Sequence, residues 1–267
     1  MASTSSNPAF RTGAFAAVAK TAQQQTMSAE QLDELYGRPS ATPADTDRMS
    51  YDDTIVKTAI TLGFVFAGAA VGFFVPGLYL IFMFVGLGLA LVNIFKKQPS
   101  PALVLAYGAA QGIFLGGISR VVEAGLPGII FQALTGTAIV FVVTLALFAT
   151  GKVRESKRAT KIFMIAGISY VLFSLVNLTL QLTGVSRDPW GLFTGVEIMG
   201  IPLGLIIGPL VILMAAYSLV LDFTSVKQGV EAGAPRIFGW KAAFGLVLTI
   251  VWLYLEILRF LAILRGN

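Results

Sequence analysis

The final apolar run of the chain, Gly245–Arg265, carries two charged side chains in its middle, Glu256 and Arg259, among residues otherwise suited to lipid. Thr249 and Trp252 would share one helical face with them. Ionisable groups inside a membrane span are costly and usually face protein or water, so they mark a candidate functional site. The i,i+3 spacing also allows a local ion pair between Glu256 and Arg259, which needs no distant partner.

The chain contains no histidine and no cysteine. Their absence from the sequence excludes disulfides, thiol nucleophiles, histidine–zinc sites and Ser–His catalysis. A metal site would have to use oxygen ligands. Any response to pH near neutrality would have to come from carboxylates, because the side chain that usually titrates there is missing.

The composition is that of a membrane protein, since 56% of the 267 residues are hydrophobic and 12% are charged. A soluble domain has roughly 45–50% apolar and about 25% charged residues. Seven apolar runs can each cross a hydrocarbon core of roughly 30 Å. They are 57–76, 78–95, 102–122, 128–150, 162–182, 200–222 and 243–264. We therefore expect an all-α protein with seven transmembrane helices in residues 51–267, which contacts the lipid bilayer and no nucleic acid.

The polar N-terminal segment, residues 1–50, lacks a sustained apolar period and is predicted to be a disordered tail. Ser50-Tyr-Asp-Asp53 is typical of a capping box that opens the first helix. Lysine and arginine are concentrated on one side of the predicted spans, in the connections 96–101, 151–161 and 223–242. The other side has only Arg120, Arg187 and Arg265. The positive-inside rule then predicts a cytoplasmic N-terminus and a C-terminus on the opposite side.

The segment Val226–Ala242 is long for a connection, and we expect it to lie in the membrane interface as an amphipathic element. It also decides the depth of Glu256. A last helix that starts near Arg236 places Glu256 about 30 Å along it, near the far side, whereas a start near Gly245 places it roughly 16 Å along, near the midplane.

Polar side chains form a stripe along the fifth predicted span, and two more lie one turn apart in the third. The six residues are Tyr107, Gln111, Tyr170, Ser174, Asn177 and Gln181. Those of the fifth span follow a helical spacing that places them on one inward face. Hydrogen bonds between helices explain such a stripe, and so does the lining of a wet path through the bundle.

The sequence lacks residues that several classes of membrane protein require. A retinal protein needs a lysine midway along its seventh helix, but the only lysine near that helix is Lys241, at its edge. Rhomboid-type and zinc-dependent intramembrane proteases need histidine. The Gly-x-Gly-Asp context of aspartyl intramembrane proteases is absent around Asp222. We therefore expect no enzymatic activity.

Four segments in the third, fourth, sixth and seventh predicted spans carry a family resemblance. They are Gly112-Ile-Phe-Leu-Gly-Gly-Ile-Ser119, Ala133-Leu-Thr-Gly-Thr137-Ala138-Ile-Val-Phe141, Tyr217-Ser-Leu-Val-Leu-Asp222 and Leu253-Tyr-Leu-Glu256-Ile-Leu. Together they resemble motifs of the Bax inhibitor family, in its YccA-like bacterial branch of transmembrane Bax inhibitor motif proteins. The resemblance extends over residues 55–265 and leaves the tail uncovered.

The resemblance implies six helices around a central apolar seventh helix, in a bacterial plasma membrane. It also implies a pH-sensitive calcium leak that depends on an acidic pair, Asp222 and Glu256, although the family's second acid is usually Asp. Two carboxylates held together in a bundle share a proton and titrate as a coupled pair. Protonated, they would bridge the sixth and seventh helices. Deprotonated, they would repel each other and offer oxygen ligands to a transient calcium ion.

Two questions stay open at this point. Glu256 has two candidate partners, Asp222 and Arg259, and Lys96 and Lys97 are further candidates for a base that latches the acids. The family also includes proteins linked to stress and quality control. The second function class is therefore a non-conducting regulator that binds membrane proteins or a membrane protease, with the tail as its working part. Neither class requires a bound cofactor.

Overall fold

The computed structural model describes residues 47–186, 188 and 190–266. This part of the chain contains seven helices that are long and apolar enough to cross a membrane, which confirms the all-α, multi-pass prediction. They are α1 (Tyr51–Phe74), α2 (Tyr79–Phe95), α3 (Pro101–Gly125), α4 (Ile129–Ala149), α5 (Lys157–Leu182), α6 (Leu203–Glu231) and α7 (Phe238–Gly266). The predicted disorder of the tail and the placement of Arg187 fall mainly or wholly outside the described residues.

The helix boundaries follow local sequence signals. α1 begins directly after Ser50, whose Oγ accepts a hydrogen bond of 3.2 Å from the backbone nitrogen of Asp53, so the predicted cap is confirmed. The short 3₁₀ helix Pro76–Leu78 joins α1 to α2. Ser156 caps α5 in the same way as Ser50 caps α1.

The connection between α5 and α6 contains the remaining small elements. A helical turn, Leu192–Gly195, is followed by β1 (Glu197–Ile198) and β2 (Ile201–Pro202), which pair antiparallel. Met199 and Gly200, between the strands, both have positive φ, at 55° and 80°. Two successive residues in this region are typical of the tight turns that join short hairpin strands.

α1 and α3 pack with their backbones in close contact. A side chain on Gly112 would overlap the carbonyl oxygen of Val65, and one on Gly116 would overlap that of Ala69. Gly68 faces the backbone at Ala109 in the same manner. Small residues at four-residue spacing allow this approach, which strengthens dispersion contacts where the surrounding lipid offers no hydrophobic driving force.

α7 and α3 are the most buried of the seven helices. α7 packs against α1, α3, α4 and α6, while α2 packs on α3. The outward faces of the helices are apolar, with exposed side chains such as Phe74 and Phe131, as expected in a lipid bilayer. A ring of six helices around α7 stays a prediction.

The connection before α7 differs from the prediction. α6 continues to Glu231 and α7 begins at Phe238, so the prediction that Val226–Ala242 forms one long connection is wrong. Glu256 lies 18 residues after the start of α7, about 27 Å along the helix. This distance agrees with the first of the two alternatives for Glu256, in which the last helix starts near Arg236.

The residues before α1 pair with the short connection between α6 and α7. The backbone nitrogen of Met49 donates to the carbonyl of Ala234 at 2.7 Å, and that of Arg236 donates to the carbonyl of Asp47 at 2.8 Å. Arg48 and Pro235 form an antiparallel bridge between these two bonds. The chain is therefore anchored to this connection before it enters α1.

A charged cluster of Asp53, Lys57 and Arg236, here called the terminal bracket, reinforces this pairing. Lys57 is only 7% exposed. Its ammonium group donates to the Asp53 carboxylate and, at 2.8 Å, to the carbonyl of Arg236. Nε of Arg236 donates to the other Asp53 oxygen at 2.9 Å, and the Lys57 ammonium lies 5.6 Å from the ring centroid of Trp240. One carboxylate thus holds α1 to the start of α7.

We expect Asp53→Asn to destabilise the protein, because it leaves the Lys57 ammonium buried without its counter-charge. Breaking a buried ion pair from one side costs about 3–5 kcal/mol, and partial exposure of Arg236 places the expected loss near the lower figure. The measurement is the unfolding midpoint in detergent. Asp52→Asn removes an exposed carboxylate one residue away and is the matched control. Equal midpoints for the two variants would contradict the role given to the terminal bracket.

Candidate functional site

Glu256 lies in a hydrogen-bonded cluster between α5 and α7 and is only 4% exposed. Its Oε1 accepts hydrogen bonds from the Tyr170 hydroxyl and, at 3.0 Å, from Nε1 of Trp252. Its Oε2 accepts from Nη2 of Arg259. Nη1 of Arg259 also donates to the Tyr170 hydroxyl at 2.8 Å. Each of Tyr170, Glu256 and Arg259 is therefore hydrogen bonded to the other two. We call Tyr170, Trp252, Glu256 and Arg259 the Glu256 cluster.

The Arg259 guanidinium is covered by aromatic rings. Its central carbon lies 3.8 Å from the ring centroid of Phe193 and 5.8 Å from that of Tyr170. Phe193 belongs to the helical turn between α5 and α6 and is 3% exposed. A cation over an aromatic face is stabilised by the ring quadrupole, and more so when desolvated. Periodicity could not indicate Phe193, because it lies between two spans.

Asn177 of the polar stripe on α5 positions this turn. Oδ1 of Asn177 accepts a 2.6 Å hydrogen bond from the backbone nitrogen of Leu192, and its Nδ2 donates to the carbonyl of Trp190 at 3.5 Å. The Gln181 amide lies beside Gly191, where a side chain would come within 2.8 Å of it. Ser174 is half-buried on the same helix. The contacts of Asn177 are therefore those of a structural support, and the predicted pathway lining stays a prediction.

Asp222 lies at a second polar contact, between α6 and α7. Its Oδ2 accepts a 2.6 Å hydrogen bond from Oγ1 of Thr249, which lies 3.3 Å from Oγ of Ser218. Its Oδ1 faces Gly245, where an added Cβ would be 3.3 Å away. Within the residues that the structure describes, Asp222 forms no ion pair. The half-buried carboxylate is therefore bonded to one hydroxyl and, among the described residues, has no counter-charge.

The two acids contact different parts of α7. Thr249, the partner of Asp222, and Glu256 are seven residues apart on this helix, which corresponds to about 10 Å along the axis. The direct bond between Asp222 and Glu256 that the resemblance implies is not present in this structure. Arg259, one turn beyond Glu256, is the partner that the structure shows.

The predicted latch bases and the predicted calcium site do not appear as a bound cluster in the described structure. Lys96 and Lys97 are exposed just after α2 ends, and in the described part of the chain neither forms an ion pair. The same part of the chain has no group of three acidic side chains that could hold a metal ion. Transient binding of calcium at Asp222 or Glu256 stays a prediction.

Tyr107 of α3 contacts α7, and Gln111 of the same helix contacts α2. Tyr107 is 1% exposed and packs edge-on against Phe244, with 4.9 Å between ring centroids. The Gln111 amide lies against Gly86 of α2, and its buried Oε1 has no hydrogen-bond partner among the residues that the structure describes. A buried unpaired acceptor costs about 1–3 kcal/mol, so Gln111 is a polar group in the interior that packing alone does not account for.

Comparison with known families supports the resemblance and extends it. A family model described as Bax inhibitor 1 like matches residues 7–266. The match therefore includes most of the N-terminal segment, and the expectation that the resemblance leaves the tail uncovered is wrong. No curated protein matches the chain.

We expect strong energetic coupling between Glu256 and Arg259. Glu256→Gln leaves the guanidinium without its counter-charge, and Arg259→Gln leaves the carboxylate without it, so each single variant should lose about 3 kcal/mol or more. The double variant removes both charges and should be less destabilised than the sum of the singles. Unfolding midpoints of the four proteins measure the coupling.

The matched control is the exposed pair Lys227 and Glu231, whose Nζ and Oε1 are 3.6 Å apart on α6. Its coupling should be about 0.3–0.5 kcal/mol. Additive effects at Glu256 and Arg259, similar to those of this surface pair, would contradict the buried ion pair.

Proposed function

The chain belongs to the Bax inhibitor 1-like family, and from this premise we propose that it is a pH-sensitive leak for calcium and similar cations. The observation that carries the proposal is the Asp222 carboxylate, which is half-buried between two spanning helices and whose hydrogen-bond partner in the described structure is the Thr249 hydroxyl. Charged side chains in a membrane span usually line an ion path or pair with an opposite charge. Asp222 has no opposite charge as its partner among the described residues, so we assign it to an ion path.

The oxygen atoms around Asp222 suit a weak cation site. The carboxylate, the Thr249 hydroxyl and the Ser218 hydroxyl lie together at the contact between α6 and α7. Calcium prefers about six to eight oxygen ligands, so three side chains and water would hold it only briefly. Weak binding favours conduction, because an ion that is bound tightly leaves slowly.

The Glu256 cluster has a different role in this mechanism. The Glu256 charge is balanced by Arg259, and both side chains are held by Tyr170 from α5. The cluster therefore closes the α5–α7 contact and does not itself offer a free carboxylate. Passage of an ion beyond Asp222 would require α5 and α7 to separate at this level.

The direction of the pH response follows from the charge of Asp222. The groups that face it are Thr249 and Gly245 of α7 and, through Thr249, Ser218 of its own helix. None of these is charged, and the chain has no histidine. The ionised carboxylate attracts a cation and the protonated one does not, so flux should fall as the pH falls.

We expect calcium flux into proteoliposomes to be lower at about pH 5 than at about pH 8, and Asp222→Asn to abolish this difference. Loss of a charged ligand that contributes about 1.4 kcal/mol lowers binding tenfold, and the flux of Asp222→Asn at the higher pH should fall by about that factor. Glu231→Gln, which removes an exposed carboxylate from the end of the same helix, is the control and should match the wild type. A flux altered by neither pH nor Asp222→Asn would exclude the proposed leak.

We also propose a branch of the family and a cellular location for this protein. We place the chain in the YccA-like bacterial branch and in the plasma membrane, with the basic end of the bundle in the cytoplasm and no enzymatic activity. The lysines and arginines near helix ends support this orientation, because Lys96, Lys97, Lys152 and Arg154 lie at the end of the bundle where α1 begins.

A regulatory function is the second candidate, and the anchoring of the tail favours it. Residues 47–49 are hydrogen bonded to the connection between α6 and α7, and the family match begins at residue 7. The segment that follows the tail is therefore attached directly after the helix that carries Asp222. A partner bound to the tail would be a membrane protein or a membrane protease.

Deletion of residues 1–46 separates the two candidates, because it leaves the backbone pairing of Asp47, Met49 and Arg236 intact. A leak should keep its flux within about twofold and its pH response, since the described helices are unchanged. A tail-dependent regulator should lose its effect on the survival of cells under membrane-protein stress. Both are measured on the same variant, with Asp222→Asn as the converse control that removes the charge and keeps the tail.

A further inference from the structure

A groove of about 510 Å³ runs along the outside of the bundle between α1, α3, α4 and α7. Its lining is apolar and includes Leu62, Phe66 and Phe73 of α1 and Leu134 of α4. Phe66 and Leu134 are exposed, so the groove opens on the lipid-facing surface. The four hydroxyls of the lining are all bonded within the protein. Those of Ser119 and Tyr254 are 2.7 Å apart and bonded to each other, and those of Thr58 and Thr137 donate to carbonyl groups of their own helices, which leaves an apolar floor.

The length and direction of the groove fit an acyl chain. Along α1 it extends from Thr58 to Phe73, which is about 22 Å at 1.5 Å per residue. Lipid tails occupy a hydrocarbon core of roughly 30 Å in the same direction. The surrounding medium thus offers an apolar chain of suitable shape, and burial of each CH₂ group against protein adds dispersion contacts.

Arg120 lies at one end of the groove. Ser119 and Phe73 both line it, and the Arg120 guanidinium is 5.1 Å from the ring centroid of Phe73. Arg120 is exposed and, among the described residues, forms no ion pair. Arg265, in contrast, donates to Gln132 and to the carbonyl of Pro127. A guanidinium binds a phosphate through two parallel hydrogen bonds, and Arg120 is placed to do so.

We propose that this groove binds a phospholipid, with one acyl chain between α1 and α4 and the phosphate at Arg120. An anionic headgroup is preferred, because a headgroup amine would compensate the phosphate charge that the guanidinium recognises. The lipid belongs to the leaflet at the end of the bundle where α3 ends. This binding is independent of the proposed leak.

The test of the acyl-chain site is native mass spectrometry of the full-length protein in detergent, titrated with dioleoyl phosphatidylglycerol. Ala70 is exposed on α1 and lines the groove, while Ala67 is exposed on the same helix outside it. Ala70→Phe fills the groove and should weaken the first bound lipid about tenfold. Ala67→Phe should bind as the wild type does. Equal binding by the two variants, or a protein dimer in place of the lipid adduct, would overturn the proposal.

The test of the phosphate contact uses Arg120, which is exposed. Arg120→Gln should weaken phosphatidylglycerol about tenfold, Arg120→Lys should weaken it less, and Lys152→Gln, an exposed charge elsewhere in the chain, should have no effect. Inorganic phosphate at millimolar concentration should not displace the lipid, because it lacks the acyl chain. Undiminished binding by Arg120→Gln, or displacement by phosphate alone, would contradict the site.

Discussion

A charge buried in a membrane bundle has to be balanced by an opposite charge or reached by water, and this requirement orders the interior of the protein. Asp53 is balanced by Lys57 and Arg236, and Glu256 by Arg259. Among the described residues, the partner of Asp222 is the Thr249 hydroxyl, which carries no charge. Because desolvation of an unpaired carboxylate costs several kcal/mol, the Asp222 site has to admit water or a cation for the ionised form to persist. The same requirement therefore separates the two structural ion-pair clusters from the candidate conducting site.

All three acidic sites involve α7 or the residues directly before it. The terminal bracket attaches α1 at the start of the helix, Asp222 attaches α6 at Thr249, and Tyr170 attaches α5 at Glu256. Thr249 and Glu256 lie about 16 Å and about 27 Å along the helix from Phe238. A movement of α7 along its axis would therefore disturb polar contacts with three other helices at once. Such contacts favour one register of the bundle, since apolar faces alone would permit several.

The apolar runs were sufficient to predict seven helices, and Ser50 was sufficient to predict where α1 begins. The length of α6 was not predictable from hydropathy, because the apolar run ends near Asp222 while the helix continues through the more polar residues to Glu231. Hydropathy reports depth in the membrane, whereas backbone hydrogen bonding and helix propensity decide where a helix ends. Lys57 and Phe193 were missed for a related reason. Their partners, Arg236 and Arg259, are distant in sequence, and only tertiary packing brings them together.

Glu256 pairs with a residue of its own helix and not with the acid on the neighbouring helix. Arg259 is always one turn away on the same helix, so pairing with it requires little further ordering of the chain. A direct bond to Asp222 would require α6 and α7 to slide past each other by about 10 Å, or about two turns. That displacement would break the Thr249–Asp222 bond and leave Arg259 buried without a counter-charge. The two acids are therefore connected in this structure through α7 itself, since Asp222 is bonded at Thr249 and Glu256 lies about two turns further along the same helix.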